Sequence, residues 1–289
     1  MKTLIKNIRT TVGLSQEEFA DKLGTSFATV NRWENGKTIP NKLAQTEIYE
    51  FCKKMNISFS DILIKKVEDE VKKIPNCEDR IILYHGSKFG IEGNIAPISR
   101  EKCDFGAGFY MGTDPLQPLT LICDFVKSKF YIVSLSLDNL SNIEIPADLS
   151  WAMFVALNRG KMDSIKGTKF FQKYQKINLN KDLITGYIAN DRMFYVLDNF
   201  FLGNITDQAL IKSLSALQLG KQYVAISQKA CDAVRIEKEI PISYLERKFI
   251  KDISEENRIK GISIANEICK NYRREGLFFD EILEQAKEK

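Results

Sequence analysis

The sequence of 289 residues contains one histidine and six cysteines, and no two cysteines stand in a Cys-x-x-Cys pair. Structural zinc sites need about four cysteine and histidine ligands at short spacings, and disulfide frameworks are typical of small secreted domains. The sequence therefore predicts no metal site and no disulfide-stabilised fold.

Long hydrophobic runs are also absent. The longest apolar stretches, such as residues 130–133, are far shorter than the ~20 residues that a membrane-spanning helix requires. The N-terminal segment has no apolar stretch followed by a small-residue cleavage site, as a secretory signal would have. We therefore expect no membrane partner and a cytoplasmic location.

Charge of one sign does not dominate. Lysine and arginine number 42 against 38 aspartates and glutamates, and this net charge of +4 does not by itself indicate a nucleic-acid partner. Hydrophobic residues make up 44% and charged residues 28%, as in soluble globular domains. At about 100 to 200 residues per domain, the length predicts two folded units.

The N-terminal stretch has apolar residues at helical spacing, interrupted by glycines. Ser15–Glu18 reads as a capping box, so we expect a helix to begin at Gln16 and to end near Gly24. Ser26 is expected to cap a second helix over Phe27–Glu34. Two short helices with a tight turn are typical of a helix-turn-helix, although spacing alone also fits a plain helical hairpin.

The segment Leu-Ser-Gln-Glu-Glu-Phe-Ala-Asp-Lys-Leu-Gly-Thr-Ser at residues 14–26, continued by Val30 and residues 33–37, closely resembles the Cro/phage-repressor family. The resemblance covers residues 3 to about 55 and implies that double-stranded DNA is a partner. One such module contacts few phosphates, so we expect a homodimer on a two-fold symmetric site.

The family pattern also implies which residues contact DNA. The first motif helix would touch phosphate, the second would face base edges, and the turn after it would hold the DNA backbone. Arg32 can offer two donors to guanine, and Phe27 can contact a thymine methyl group, although Phe27 has an alternative place in the core. The predicted DNA-binding residues are Gln16, Phe27, Ala28, Asn31, Arg32, Asn35 and Lys37.

Beyond the motif, the chain divides further. Residues 41–74 continue with helical spacing and end in a run of mixed-sign charge before Pro75, which we interpret as a helical connector. Residues 81–84 and 130–137 are typical of strands, so the next domain mixes α and β structure. Residues 241–289 predict two or three amphipathic helices, which either pack on that domain or form a dimer surface.

The only histidine, His85, ends a predicted strand and is followed by Gly86 and Ser87. A histidine in this place is either a hydrogen-bonded structural residue or a functional group. The sequence Tyr-His-Gly-Ser at 84–87, followed by Gly-x-Gly-Phe-Tyr ending at Tyr110, resembles the first two motifs of the ADP-ribosyltransferase superfamily. The branch is the histidine-tyrosine-glutamate one, which includes diphtheria toxin and poly-ADP-ribose polymerases.

The sequence is more closely similar to an uncharacterised bacterial family assigned to that superfamily. This similarity spans roughly residues 80–237 and is carried by further motifs at 150–159, 186–192 and 221–227. The implied fold class is a multi-domain protein. It has an all-α helix-turn-helix domain with connector at 1–74, an α+β ADP-ribosyltransferase-like domain at 75–240 and a helical tail at 241–289.

The resemblance implies that NAD is the substrate and that ADP-ribose is transferred to a macromolecular acceptor, without a metal. Cleavage of the nicotinamide–ribose bond builds positive charge on the ribose, so catalysis consists largely of orienting NAD and stabilising that charge. His85 would bind a ribose hydroxyl, Gly86 the carboxamide, and Tyr110 the nicotinamide ring, with Ser87 in the same cofactor-binding set. The imidazole and the phenol ring are expected to meet across a pocket.

The third motif departs from the family pattern because Gln222 stands where a glutamate is expected. A glutamine keeps a hydrogen-bond acceptor but supplies neither negative charge nor a general base. His85, Tyr110 and Gln222 are the predicted catalytic set, although Gln222 has an alternative role as a surface residue at a strand end. The two functional hypotheses are a toxin or defence effector controlled by its DNA-binding half, and a transcription regulator that only senses NAD.

Two smaller expectations concern the motifs between these positions. Trp151 and Phe154 are expected in the hydrophobic core. The segment Asn190–Arg192 either lines the NAD site or forms a hydrogen-bonded loop.

Overall fold

The computed structural model describes residues 1–75, 79–99, 102–187, 191–216 and 220–287. Its N-terminal part is helical, with α1 (Lys2–Thr11), α2 (Gln16–Lys22), α3 (Phe27–Glu34), α4 (Lys42–Lys54) and α5 (Phe59–Val71).

The predicted starts of α2 and α3 are confirmed. The Ser15 hydroxyl accepts from the Glu18 amide, and the Glu18 carboxylate accepts from the Ser15 amide, which completes the capping box. Ser26 caps α3 by a single hydrogen bond, in which its hydroxyl accepts from the Thr29 amide. Gly24 between the two helices has a φ of +61°, which glycine adopts without strain.

The rest of the chain combines strands and helices. The strands are β1 (Ile81–Ser87), β2 (Phe109–Gly112), β3 (Lys129–Leu135), β4 (Asn142–Glu144), β5 (Leu183–Tyr187), β6 (Lys221–Ala225) and β7 (Val234–Pro241). The helices are α6 (Leu116–Ile122), α7 (Leu149–Asn158), α8 (Lys169–Gln175), α9 (Asp191–Phe201), α10 (Asp207–Ala216), α11 (Gln228–Asp232), α12 (Tyr244–Tyr272) and α13 (Phe279–Lys287), and residues Asp163–Ile165 form a short 3-10 turn.

The seven strands form one mixed sheet in the order β4-β5-β6-β2-β1-β3-β7. β4 and β5 are parallel, and the other neighbours are antiparallel. Both predicted strands are confirmed, because residues 81–84 lie in β1 and most of 130–137 lies in β3. The chain is thus a helical N-terminal region followed by an α/β domain and C-terminal helices.

The N-terminal helices share a hydrophobic core with the α/β domain. One cluster of buried side chains includes Leu4, Phe19 and Trp33 from the first helices, and also Phe130 from β3 and Phe249 from α12. The sheet and the N-terminal region therefore bury apolar surface against each other, although the domain boundaries remain a sequence prediction.

Polar contacts join the same surfaces. The buried ammonium of Lys66 on α5 is ion-paired with the buried carboxylate of Glu246 on α12. The side chain of Gln45 accepts from the Leu245 amide at 2.9 Å, and its amide group donates to the Pro40 carbonyl at 2.8 Å. These bonds fix the start of α12 on α4 and α5.

Helix α12 runs from the N-terminal region to the far side of the α/β domain. Its first half contributes Leu245, Phe249 and Ile253 to the cluster shared with α1–α5. Its second half contributes Ala265 to a different cluster, which also contains residues of α7, α9 and α10. Of the two alternatives for the C-terminal residues, packing on the α/β domain is therefore observed. No helix in the described ranges combines the length and apolarity needed to cross a membrane.

Candidate functional site

The side chains that the sequence predicted to contact DNA lie on α3, in the turn after it and, for Gln16, at the start of α2. Phe27 is 51% exposed, so its alternative place in the core is wrong. Ala28, Arg32 and Lys37 are also exposed, whereas Val30 and Trp33 on the inner face are buried. The helix thus presents an aromatic ring and one guanidinium to solvent on one side, with the Lys37 ammonium in the turn just after it, and packs on α1 and α2 with the other side.

A hydrogen-bonded network lies beneath this surface. Gln16 at the start of α2 donates to a Glu34 carboxylate oxygen at 2.7 Å and accepts from the Asn31 amide at 3.1 Å. Asn35 in turn donates to the Asn31 carbonyl at 2.9 Å. Gln16 and Asn31, both half-buried, therefore hold α2 and α3 together in addition to their predicted roles at DNA.

Arg9 completes the network from α1. Its guanidinium donates to both oxygens of Glu34, at 2.6 and 3.0 Å. Burial alone would raise the pKa of Glu34, but the bonds from Arg9 and Gln16 outweigh it and hold the pKa below its ordinary value. This pair was not predicted from the sequence, because Arg9 and Glu34 are 25 positions apart and lie on different helices.

Replacing Glu34 with glutamine is expected to lower the free energy of unfolding by about 1 to 3 kcal/mol, because the half-buried Arg9 loses its counter-charge. Urea unfolding at neutral pH measures the change. The matched control is Glu255→Gln, which removes an exposed pair with Arg258 and should leave the free energy of unfolding nearly unchanged. Equal decreases in the free energy of unfolding of the two variants would contradict a stabilising role for the Arg9–Glu34 network.

A second site lies where β1 and β2 separate. Among the described residues these strands are paired at one position, Tyr84 opposite Gly112. Beyond it, Nδ1 of His85 lies 2.7 Å from the carbonyl oxygen of Tyr110. A carbonyl only accepts, so Nδ1 carries the proton and Nε2 presents a lone pair. The imidazole therefore bridges the opening between the two strands.

The environment of His85 keeps the imidazole neutral. Its ring stacks on Phe109 with centroids 4.2 Å apart. Burial lowers the pKa of His85 to about 4, with the bond to the Tyr110 carbonyl opposing the shift in part. At neutral pH the group is thus a hydrogen-bond acceptor at Nε2, suited to a hydroxyl donor.

The ring of Tyr110 lies on the face of β2 opposite to the face that the His85 ring contacts. Consecutive strand residues project to opposite faces, and the imidazole stacks on Phe109, the residue before Tyr110. The Tyr110 hydroxyl accepts from the Phe105 amide at 3.0 Å and donates to the Gly106 carbonyl at 2.8 Å. The structure therefore joins His85 to the backbone of Tyr110, and the two rings lie on opposite faces of the strand. The expectation that the imidazole and the phenol ring meet across a pocket is wrong, because the register places consecutive side chains of β2 on opposite faces.

Gly86 is closely packed against α6, and the side chain of Ser87 is hydrogen-bonded within the turn after β1. A Cβ at Gly86 would lie 2.7 Å from the Pro118 carbonyl oxygen, so α6 approaches a position that only glycine can occupy. The Ser87 hydroxyl donates to the Gly90 carbonyl at 2.7 Å and shapes the turn after β1.

Gln222 is buried on β6, so its alternative role as a surface residue is wrong. It lies opposite Gly112, on the face of the sheet that carries Tyr110. Its side-chain amide donates to the Tyr187 carbonyl at 3.0 Å, and the same carbonyl accepts from the Trp151 indole at 3.2 Å. A glutamine, unlike a carboxylate, satisfies this acceptor.

The fold thus brings distant sequence motifs to one place. The segment before β2, helix α7, the end of β5 and the start of β6 meet around Tyr110 and Gln222, with Trp151 and Phe154 buried as expected. Asn190 and the side chains of Asp191 and Arg192 lie outside what the structure describes. Across the described ranges, no group of three or more histidine, cysteine or acidic side chains is placed to hold a metal ion.

Two family models match this chain. Residues 5–62 match a family model described as "Helix-turn-helix", which makes the N-terminal region a helix-turn-helix and supports DNA binding. Residues 81–236, more than half of the chain, match the model described as "Protein of unknown function (DUF3990)", and the chain belongs to that family. Searches of curated proteins and of solved structures gave no match.

Proposed function

We propose that this protein binds double-stranded DNA as a homodimer through α3, binds NAD beside β1 and β2, and transfers ADP-ribose from NAD to a macromolecule. DNA binding is supported by the family match. The NAD-dependent half is supported by one observation above all. The neutral His85 imidazole, the Tyr110 ring and the Gln222 amide come from distant motifs and occupy neighbouring strands.

The chemistry of these groups suits a nicotinamide nucleotide. In this proposal NAD lies across the opening where β1 and β2 separate, so that Nε2 of His85 accepts from a ribose hydroxyl on one face of β2 and the Tyr110 ring contacts the flat nicotinamide cation on the other. In the transfer, the bond between ribose C1′ and the nicotinamide nitrogen breaks and its electron pair leaves with nicotinamide. The acceptor oxygen or nitrogen then bonds to C1′ and loses a proton to solvent. The protein would contribute mainly orientation and exclusion of water.

Labelled NAD tests the reaction. The purified full chain should release nicotinamide and label an acceptor, and both signals should fall at least about 100-fold in His85→Ala and Tyr110→Ala. Phe89→Ala, which removes an exposed aromatic ring, serves as the control and should keep the activity. Unchanged product formation in the two site variants would reject this site as the place of reaction.

A gel-shift titration tests the DNA half. Binding should weaken as salt rises, and Arg32→Ala should reduce affinity for the preferred sequence. A two-fold symmetric site bound by two chains is the expected stoichiometry. Absence of any duplex binding at low salt would contradict the proposal.

A second function, a regulator that senses NAD without turning it over, is favoured by Gln222. Its amide is bonded to the Tyr187 carbonyl, so this position offers no negative charge to a cationic transition state. Tight NAD binding by calorimetry, with no release of nicotinamide, is the result that distinguishes the sensor from the transferase.

Gln222→Glu is expected to destabilise the protein and not to create an efficient transferase. At neutral pH a buried carboxylate would face the Tyr187 carbonyl, two acceptors in contact, at a cost of about 1 to 3 kcal/mol. The loss relative to the unchanged chain should shrink as pH falls, because a protonated carboxyl group can donate. Urea unfolding at a series of pH values from neutrality down to about 5 measures this trend.

The matched control for that variant is Gln228→Glu. Gln228 also donates to a backbone carbonyl, that of Ile95 at 2.9 Å, and to the Asp232 carboxylate at 2.8 Å, but it is exposed, so water screens the repulsion that the new carboxylate would meet. Its replacement should cost less than about 1 kcal/mol. A Gln222→Glu variant as stable as this control would show that the Tyr187 bond has no energetic weight.

A further inference from the structure

The end of α7 holds the segment of chain that precedes β2. The side-chain amide of Asn158, the last residue of α7, donates to the Phe154 carbonyl at 2.9 Å and to the Asp104 carbonyl at 3.1 Å. The first bond fixes the amide group to its own helix. The second bond therefore ties the backbone of Asp104 to α7.

Arg159, the next residue, holds the side chain of Asp104. Its Nε and Nη2 atoms lie 2.9 and 2.7 Å from one carboxylate oxygen of Asp104. The two side chains are only 15% and 14% exposed, so water screens this pair less than a surface pair. Backbone and side chain of Asp104 are thus both attached to the end of α7.

The next two residues are confined by close packing. Gly106 has a φ of +81°, and a Cβ there would lie 3.0 Å from Oδ1 of Asn158. Phe105 is fully buried, and its ring fills the space beside Gly186, where a Cβ would come within 2.6 Å of Phe105 Cζ. The segment therefore has little freedom to shift while the Asn158 and Arg159 contacts are intact.

This segment in turn fixes the hydroxyl of Tyr110. That oxygen accepts from the Phe105 amide and donates to the Gly106 carbonyl, at 3.0 and 2.8 Å. We propose that Asn158 and Arg159 are positioning residues, which set the orientation of the Tyr110 ring through residues 104–106. The inference rests on the proposed function, in which Tyr110 contacts the nicotinamide ring.

The expected effect is a loss of NAD affinity that depends on the Tyr110 hydroxyl. Arg159→Gln should weaken NAD binding about 10-fold, because the ring is no longer held in the binding orientation. Tyr110→Phe keeps the ring but removes its hydroxyl, and should weaken binding to a similar degree. If Arg159 acts through that hydroxyl, the double variant should bind no worse than Tyr110→Phe alone.

The experiment compares these three full-length variants with the unchanged chain by calorimetry with NAD and by hydrogen exchange. Exchange in residues 102–111 should be faster in Arg159→Gln, with little change elsewhere except near Asp198 on α9, whose exposed carboxylate lies 3.8 Å from Nη1 of Arg159. Arg258→Gln, which loses an exposed ion pair on α12, is the control and should alter neither measurement. If Arg159→Gln does not fold, Asp104→Asn replaces it in the comparison, because this variant removes the same ion pair from the side of the carboxylate.

The outcomes separate this inference from the proposed function. Faster exchange in residues 102–111, with losses of affinity that are not additive, supports the positioning role. Unchanged exchange, or losses that add in the double variant, would overturn it. If the unchanged chain does not bind NAD, the proposed function fails, whereas the exchange measurement still decides whether Arg159 holds the segment.

Discussion

Replacing Lys66 with alanine is expected to lower the free energy of unfolding by about 3 to 5 kcal/mol. The reason is the uncompensated charge that the change leaves behind. Glu246 is 5% exposed. Burial alone would raise the pKa of Glu246, but the Lys66 ammonium and the hydrogen bonds from Ser243 hold it below its ordinary value.

Lys73→Ala is the matched control. Lys73 follows the same helix and pairs with Glu70 at 2.7 Å, but its side chain is 54% exposed, so its loss should cost less than about 1 kcal/mol. Denaturant unfolding followed by circular dichroism compares the two variants. DNA binding by the Lys66 variant should be lost in parallel with its fold, since α5 belongs to the core that supports α3. Similar stabilities of the two variants would contradict a buried ion pair that stabilises this junction.

Acidification is expected to destabilise the protein through His85. The folded-state pKa of about 4 lies below the ordinary value of 6.5, because burial disfavours the imidazolium. Between these two values the unfolded chain binds more protons than the folded chain. The contribution of His85 to the free energy of unfolding is therefore fully present above about pH 6.5 and decreases as the pH falls toward 4. By pH 5 the free energy of unfolding has dropped by about 2 kcal/mol because of this residue.

The titration of His85 can be followed by NMR without ambiguity of assignment, because the sequence has one histidine. The NMR signals of its imidazole should not titrate between pH 8 and 5 in the folded protein, a range around the ordinary pKa. The free energy of unfolding measured in urea should fall less between pH 7 and 5 in His85→Gln than in the unchanged chain. A folded-state titration near pH 6.5 would show that the imidazole is not protected by burial.

The N-terminal helices could be predicted from sequence because their signals are local. Ser15 and Ser26 cap helices that start directly after them, and Gly24 allows the turn between them, so contacts within a few residues determine the boundaries. The ion pair of Arg9 with Glu34 joins positions on different helices. No local pattern predicts it.

The sequence motifs proposed the residues of the candidate site, but they could not predict its geometry. The motif residues indicated His85, Tyr110 and Gln222, and β1, β2 and β6 do lie next to one another. Which face each side chain occupies depends on register between distant strands, and a shift of one residue reverses it. The opposite orientations of the His85 and Tyr110 rings, and the burial of Gln222, follow from that register.

Helix α12 limits how the DNA-reading region can be exchanged between proteins. Its first turns supply apolar side chains to the cluster around α4 and α5, although they lie at the other end of the chain. A chimera that carries only the first 74 residues would expose this surface and should be prone to aggregation. Recombination, whether natural or by design, would need to transfer the first turns of α12 along with the N-terminal helices.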